Sequence, residues 1–258
     1  MKVSVIQAEI TDTRNKSEQL AYVLNQIDTI GGIDLVVLPE IWNVGFFSFD
    51  LYHSEAEDLD GPAVSAFKEI AEKKSIHIHM GSIIEKQEQG FFNTSVLIRP
   101  KGEILATYRK IHLFGFESRE NHVLCPGENI TVVSTEIGRF GLATCYDLRF
   151  PEQFRIMMKQ GVQAFLIPSA WPMPRIAHWN VLNRSRSLEN LCFTIACNCA
   201  GISHGNEFGG NSMIVNPLGE ITGYLQEKPG ILNQEINLGE VDEARNKYPF
   251  IADMVNLE

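Results

Sequence analysis

Three reactive side chains each follow a short apolar run that is typical of a β-strand. "DLVVLPE" ends at Glu40, "ILATYRK" at Lys110 and "FGLATC" at Cys145. Because ligand sites of open α/β sheets collect at the carboxyl ends of strands, these side chains can converge although the sequence separates them. A carboxylate, an ammonium and a thiol together supply a general base, a cation for an oxyanion and a nucleophile. The pattern predicts covalent thiol chemistry at a surface-lining sheet edge.

The position of Cys145 distinguishes it from an ordinary cysteine, which is most often an inert buried thiol. Pro151 suits the first turn of a helix, "PEQFRIMMKQ" has helical spacing, and Gly161 can end that helix. We therefore expect Cys145 in an exposed turn between strand and helix. A nearby helix N-terminus would favour its thiolate form.

The other two reactive residues, Glu40 and Lys110, each have an alternative interpretation as an ordinary solvated side chain. Pro39 and the bulky "IWNVGFF" suggest that Glu40 is enclosed, as a general base would be, although most glutamates are solvated. Lys110 follows Arg109 and is about as compatible with a solvated strand end. Lysine ammonium is also a compact charge that can stabilise an oxyanion.

Further clusters suggest metal or histidine-assisted chemistry. The pairs His77/His79 and Cys197/Cys199 each share one strand face, but neither has the flanking ligands of a zinc site, so we expect both to pack. Cys192 lies in an apolar run and is expected to be structural. Three histidines lie near loops or helix starts: His112, His178 and His204. On residue types alone they leave a thiol protease open, but no local pattern ties any of them to the thiol.

Alternating strand-like and helix-like segments indicate the α/β fold class. Two strand pairs, "FFNTSVLIRPKGEILATYRK" and "NSMIVNPLGEITGYL", read as hairpins. No linker or repeat divides residues 1–258, so we expect one domain that ends in a tail of about a dozen residues. Residues 112–130 have no periodicity and are long enough to form a functional loop.

Composition narrows the class of partner. The 258 residues carry a formal net charge of −10 without a run of Lys and Arg, which argues against nucleic acid or an anionic membrane surface and favours a small molecule. No phosphate loop or dinucleotide motif is present, so we expect no cofactor and no metal. Gln7 and Glu9 interrupt the first apolar stretch, and five cysteines suit free thiols, so we expect a cytoplasmic protein.

The motifs "LPE", "YRKIHLF" and "CYDLRFPE", in this order and spacing, resemble the nitrilase superfamily, also called carbon-nitrogen hydrolases. The likeness runs from the first residue to about the last dozen. It implies a four-layer α-β-β-α sandwich with a triad of Glu40, Lys110 and Cys145 and no cofactor. It also implies that Lys110 and the backbone N–H of Tyr146 stabilise an oxyanion, and that Glu120 is a further site glutamate, with an exposed loop acid as the alternative.

"SAWPMPRIAHW" followed by "RSRSLEN" most resembles the bacterial omega-amidase type, which acts on omega-monoamides of short dicarboxylic acids such as 2-oxoglutaramate. The loop "FGFESRENHVLCPG" matches that type less well. Amidases of deaminated glutathione are the second candidate, and a true nitrilase is a weaker one. A silent binding or scaffold protein is a different class, against which the intact triad argues.

Two residues of the "SAWPMPRIAHW" segment, Trp171 and Arg175, are candidates for substrate binding. Arg175 follows the strand-like "VQAFLIPSA", and its guanidinium can hold a carboxylate through two hydrogen bonds. The alternative is an arginine paired with a surface acid. The resemblance further implies a homodimer formed through "PEQFRIMMKQ" and "AHWNVLNRSRSLEN". The apolar side chains of the tail, Tyr248, Phe250, Ile251 and Met254, suggest that it packs on the body or a partner.

Overall fold

The computed structural model describes residues 1–255 and consists of strands and helices in alternation. The strands are β1 (Lys2–Gln7), β2 (Glu9–Thr11), β3 (Leu35–Val37), β4 (His77–Gln87), β5 (Gly90–Ile98), β6 (Ile104–Arg109), β7 (Thr131–Thr135), β8 (Gly138–Leu142), β9 (Ala164–Ser169), β10 (Phe193–Asn198), β11 (Ala200–Ser203), β12 (Asn206–Glu207), β13 (Met213–Val215), β14 (Ile221–Tyr224) and β15 (Gly230–Glu235). The α-helices are α1 (Lys16–Asp28), α2 (Tyr52–Glu55), α3 (Pro62–Lys74), α4 (Glu120–Val123), α5 (Pro151–Lys159), α6 (Ile176–Asn190) and α7 (Glu240–Lys247).

Two six-stranded sheets form the centre of the molecule. Their strand orders are β15-β1-β3-β4-β5-β6 and β14-β13-β10-β9-β8-β7. The strands β1, β3 and β4 run parallel, as do β8, β9 and β10, whereas the flanking strands are antiparallel. A small third sheet has the order β12-β11-β2. Because β6 again runs in the direction of β4, its carboxyl end meets those of β3 and β4 at one edge.

Three apolar cores separate four layers. Between the sheets lie side chains such as Val5, Val37, Leu142 and Leu166. A second core joins the first sheet to α1 and α3, and a third joins the second sheet to α5 and α6. The predicted four-layer α-β-β-α sandwich is confirmed.

Local sequence signals explain where the helices start. Asn15 caps α1 through its side chain, and the backbone N–H of Asn15 donates to the Glu18 carboxylate, which completes a capping box. Pro62 and Pro151 occupy the first turns of α3 and α5, where a missing N–H costs nothing. The predicted helix after Cys145 therefore begins at Pro151, and a single 3-10 turn, Cys145–Arg149, lies between them.

The predicted hairpins are confirmed as the pairs β5–β6 and β13–β14. The long segment 112–130 is irregular apart from the one-turn helix α4, which the sequence did not indicate. Ile251 packs on the third core, but Tyr248, Phe250 and Met254 stay about two-fifths exposed. The end of the predicted tail, 256–258, lies outside the described residues. Within residues 1–255 no helix has both the length and the apolar character needed to cross a membrane.

A bulge in β4 fixes the loop that carries Glu40. The register of β4 against β5 shifts between His79 and Ser82, and Gly81 there adopts a left-handed φ of 68°. The backbone of Gly81 lies so close to Pro39 that an added Cβ would stand 1.8 Å from the Pro39 carbonyl oxygen. Ser82 donates its N–H to that same oxygen. Only glycine fits this position, because it combines a left-handed φ with a backbone contact.

We predict that Gly81→Ala lowers the free energy of unfolding by about 1–3 kcal/mol more than Gly32→Ala does, the usual cost of overpacking. Gly32 is a matched control because its φ of 66° is nearly the same and nothing lies within 4 Å of an added Cβ. Urea unfolding of both variants measures the difference. Equal stability of the two would contradict the close contact with Pro39.

Candidate active site

The ammonium of Lys110 lies between two carboxylates in the interior. Its Nζ atom is 2.8 Å from Glu40 Oε1 and 2.9 Å from both carboxylate oxygens of Glu120. All three side chains are 0% exposed. The predicted surface-lining position of Lys110 is therefore wrong, because the loop 112–130 folds back over the strand end. The structure brings Glu120 into the site rather than leaving it as an exposed loop acid.

Asn93, in the first half of β5, completes this arrangement. Its Nδ2 atom donates to Glu40 Oε1 at 2.8 Å and to Glu120 Oε1 at 2.9 Å. The backbone N–H of Ala170 donates to Glu40 Oε2 at 2.9 Å, and that of Phe114 to Glu120 Oε2 at 2.7 Å. Each carboxylate is thus anchored at both oxygens. Sequence reasoning missed Asn93, since it followed only the ends of strands.

Cys145 occupies the predicted turn between β8 and α5, and its backbone has a left-handed φ of 48°. A non-glycine residue in this region is strained, and such strain is common at functional sites. The thiol is 8% exposed, so the expected open exposure is wrong. Cys192, Cys197 and Cys199 are still more deeply buried, as predicted for structural thiols.

Burial and neighbouring charges shift the pKa values of the site residues. Burial and then the carboxylate of Glu40 raise the pKa of the Cys145 thiol well above its ordinary value, against the opposing effect of Lys110. This shift runs against the expected thiolate, because the first turn of α5 starts six residues after Cys145, whereas burial and the Glu40 carboxylate act on the thiol itself. Burial lowers the pKa of Lys110, but Glu120 and Glu40 outweigh it, so the net shift is upward. Burial raises the pKa of Glu120.

A pocket opens onto Cys145. It holds about 350 Å³ of empty space, its open mouth included. Its lining consists mainly of aromatic residues and also includes two arginines: Phe46, Phe47, Phe114, Cys145, Tyr146, Arg149, Ala170, Trp171, Pro172 and Arg175. The three candidates Tyr146, Trp171 and Arg175 thus lie together beside the thiol.

The two arginines of the pocket sit over aromatic rings. The guanidinium carbon of Arg175 is 5.2 Å from the ring centre of Phe114, and that of Arg149 is 5.1 Å from the ring centre of Trp171. Neither guanidinium forms a salt bridge with a carboxylate of residues 1–255. Sequence reasoning missed Arg149, although it lies in the "CYDLRFPE" motif.

The histidines considered for thiol or metal chemistry contact side chains other than Cys145. His112 pairs with Asp147, His178 with Arg149 and His204 with Asp12. No group of three or more His, Cys, Asp or Glu within residues 1–255 is arranged to hold a metal ion. His79 is fully buried, which lowers its pKa to about 3. The side chains of both strand-face pairs, His77/His79 and Cys197/Cys199, are buried, so they pack as expected.

Comparison with known proteins places this geometry in a family. The sequence profile of the Carbon-nitrogen hydrolase family matches residues 2–246. This chain belongs to the carbon-nitrogen hydrolases. The prediction of family, fold and enzyme class is confirmed.

Relatives of this carbon-nitrogen hydrolase span nearly its whole length. The 2-oxoglutaramate amidase of Paenarthrobacter nicotinovorans is 34% identical over 261 residues, which cover 98% of this chain and 89% of the relative. The 2-oxoglutaramate amidase of Bacillus subtilis is 36% identical over 222 residues, with 86% and 85% covered. XC1258 of Xanthomonas campestris, a superfamily protein with an arsenic adduct in its active site, superposes with a TM-score of 0.93 at 28% identity, covering 100% and 98%.

We predict that Cys145→Ala and Glu40→Gln abolish ammonia release from amides while the protein stays folded. Lys110→Ala should also lose activity, and it should cost about 3–5 kcal/mol of stability because it leaves two buried carboxylates without a counter-charge. Steady-state ammonia release and thermal unfolding measure both effects.

Lys73→Ala is the matched control, since the Lys73–Asp28 pair is exposed and contributes little. It should keep wild-type activity and stability. Normal ammonia release by any one of the three site variants would remove that residue from the mechanism.

Proposed function

We propose that this enzyme hydrolyses the omega-amide of a short dicarboxylic acid monoamide, such as 2-oxoglutaramate, to the dicarboxylic acid and ammonia. The observation that carries the proposal is the pair of guanidinium groups beside Cys145, neither of which is neutralised by a carboxylate of residues 1–255. The names of both amidase relatives support the same substrate class.

The first half of the reaction forms a thioester. Glu40 accepts the thiol proton as Cys145 attacks the amide carbon, which matches the raised pKa of a thiol that needs a base. The ammonium of Lys110 and the backbone N–H of Tyr146 stabilise the tetrahedral oxyanion. Glu40 then passes its proton to the leaving nitrogen, the carbon–nitrogen bond breaks, and ammonia departs.

The second half hydrolyses the thioester. Glu40 takes a proton from water, whose oxygen attacks the thioester carbon, and Lys110 with Tyr146 again stabilises the oxyanion. The carbon–sulfur bond breaks, the proton returns to Cys145, and the acid leaves. Glu120 keeps Lys110 charged and fixed throughout, because its carboxylate contacts the ammonium through both oxygens.

Arg175 is proposed to hold the carboxylate at the far end of the substrate. The formal net charge of −10 repels an anion at long range, so binding needs local cations. Trp171 supports this residue, since its indole N–H donates to the Arg175 carbonyl at 2.8 Å. When the guanidinium of Arg175 binds the carboxylate at one end of the substrate, the amide carbon at the other end is positioned against the thiol.

We predict that Arg175→Ala slows hydrolysis of 2-oxoglutaramate or succinamate by one to two decades more than hydrolysis of a neutral amide of similar length. Losing a charge-assisted pair costs roughly 1.5–3 kcal/mol, which corresponds to that range. The ratio of kcat/KM values for the charged and neutral amides measures the effect.

Arg175→Lys serves as the matched control, because it keeps the charge but loses the two-pronged hydrogen bonding, so its ratio should fall between those of wild type and Arg175→Ala. An equal loss on charged and neutral amides would make Arg175 a structural residue.

We further propose a cytoplasmic homodimer with one catalytic domain. All five cysteines are free thiols, which suits a reducing compartment. The family profile ends just before the tail, at residue 246. Exposed apolar side chains of α6 and β14, Val181, Ile221 and Tyr224, line one groove that a second copy can cover.

We predict a dimer in sedimentation at micromolar concentration and a shift towards monomer in Val181→Asp, because Val181 is 63% exposed and a charge there opposes burial. Ile202→Asp is the control, since Ile202 is 58% exposed but lies on the small third sheet. A wild-type monomer would refute the proposed assembly.

A further inference from the structure

The carboxylate of Asp147 lies two residues after Cys145 and is 0% exposed. Its Oδ2 atom accepts the hydroxyl of Tyr108 at 2.7 Å and the backbone N–H of Thr144 at 2.8 Å. Its Oδ1 atom contacts the backbone N–H of His112 at 3.1 Å and Nδ1 of the same histidine at 2.8 Å. The buried carboxylate of Asp147 is thus within hydrogen-bond distance of four polar groups.

These four groups come from the two segments that carry the nucleophile and the ammonium. Thr144 directly precedes Cys145, whereas Tyr108 and His112 flank Lys110 at two residues on either side. The two segments belong to different sheets, β8 to the second and β6 to the first. Asp147 therefore joins the sheet edges across the site.

Only a carboxylate satisfies this arrangement. The N–H groups of Thr144 and His112 are obligate donors, and each points at a different oxygen of Asp147. An asparagine has one acceptor oxygen, so its amide NH₂ would face one of these donors and leave it without a partner. Either the turn of Cys145 or the segment after Lys110 must then move.

We propose that Asp147 is a positioning residue that holds the strained Cys145 turn in register with Lys110. The Cys145 backbone, with its left-handed φ of 48°, relaxes unless its surroundings fix it, and the Thr144 N–H bond fixes the residue directly before it. His112 adds a second attachment, since its ring stacks on Phe150 at 3.7 Å, just past the 3-10 turn. The proposal deepens the function given above and rests on it.

The test is Asp147→Asn, assayed for kcat and KM on 2-oxoglutaramate and for alkylation of Cys145 by iodoacetamide. Alkylation is followed by mass spectrometry, with the partly exposed Cys125 as an internal reference. We expect kcat to fall about 100-fold, as for a displacement of about 1 Å, with KM within about twofold. Alkylation of Cys145 relative to Cys125 should change with it, because the thiol no longer faces Glu40.

Glu85→Gln is the matched control. Glu85 is another carboxylate that is 1% exposed and receives four donors, from Arg109, Thr94 and Gln87, on β4. It should lower the unfolding temperature as Asp147→Asn does but keep kcat and Cys145 alkylation near wild type. Equal kcat per folded molecule in both variants would overturn the proposal.

Two further arms keep the test decisive. If Asp147→Asn does not fold, Tyr108→Phe removes one donor without touching the backbone N–H groups. This variant should then lower kcat about fivefold, which is the effect expected from the loss of about one hydrogen bond. An unchanged kcat in Tyr108→Phe would then refute the positioning role. If wild type hydrolyses no amide, the proposed function fails, while Cys145 alkylation in the same variants still decides the role of Asp147.

Discussion

The rest of the site depends on one buried ammonium that is shared by two carboxylates. Glu40, Lys110 and Glu120 are all 0% exposed, so the ammonium contacts both carboxyl groups away from water. Burial and then the Glu40 carboxylate raise the pKa of the Cys145 thiol, because a thiolate there would be desolvated and would lie beside another negative group. The site therefore brings a carboxylate, an ammonium and a thiol together, which is the set of groups that the proposed mechanism uses.

The two sheets make this burial possible. Parallel strands of both sheets end at the same region, and each end is locked by backbone contacts: Glu40 by the bulge at Gly81, and Cys145 by the turn before α5. Both positions include a non-glycine residue with a left-handed φ, Ile41 at 42° and Cys145 at 48°. Such strain persists only where the surroundings over-determine the backbone. The tightly packed cores on either side supply that constraint.

Much of this could be predicted from the sequence, because strand periodicity and the position of reactive residues after strands are local signals. The α/β class, both hairpins and the convergence of Glu40, Lys110 and Cys145 followed from them, whereas the four layers followed from the family resemblance. Asn93 could not be found in this way, since it lies within the antiparallel strand β5, opposite Ile84 of β4, and not just past the end of a strand. The raised pKa of Cys145 also required the fold, because it comes first from burial and then from a carboxylate that lies 105 residues away in the sequence.

The pairing of β1 bears on how the chain folds. β1 lies inside the first sheet, between β3 and β15, and its residues Lys2–Gln7 pair with Gly230–Glu235. During synthesis one side of this first strand has no partner until nearly the whole chain has emerged. Contacts so distant in sequence are slow to form, and an unpaired strand edge invites association with other chains. The sheet that carries Glu40 and Lys110 is therefore completed only after translation has passed its last strand, so a nascent chain is exposed to aggregation before it can acquire catalytic chemistry.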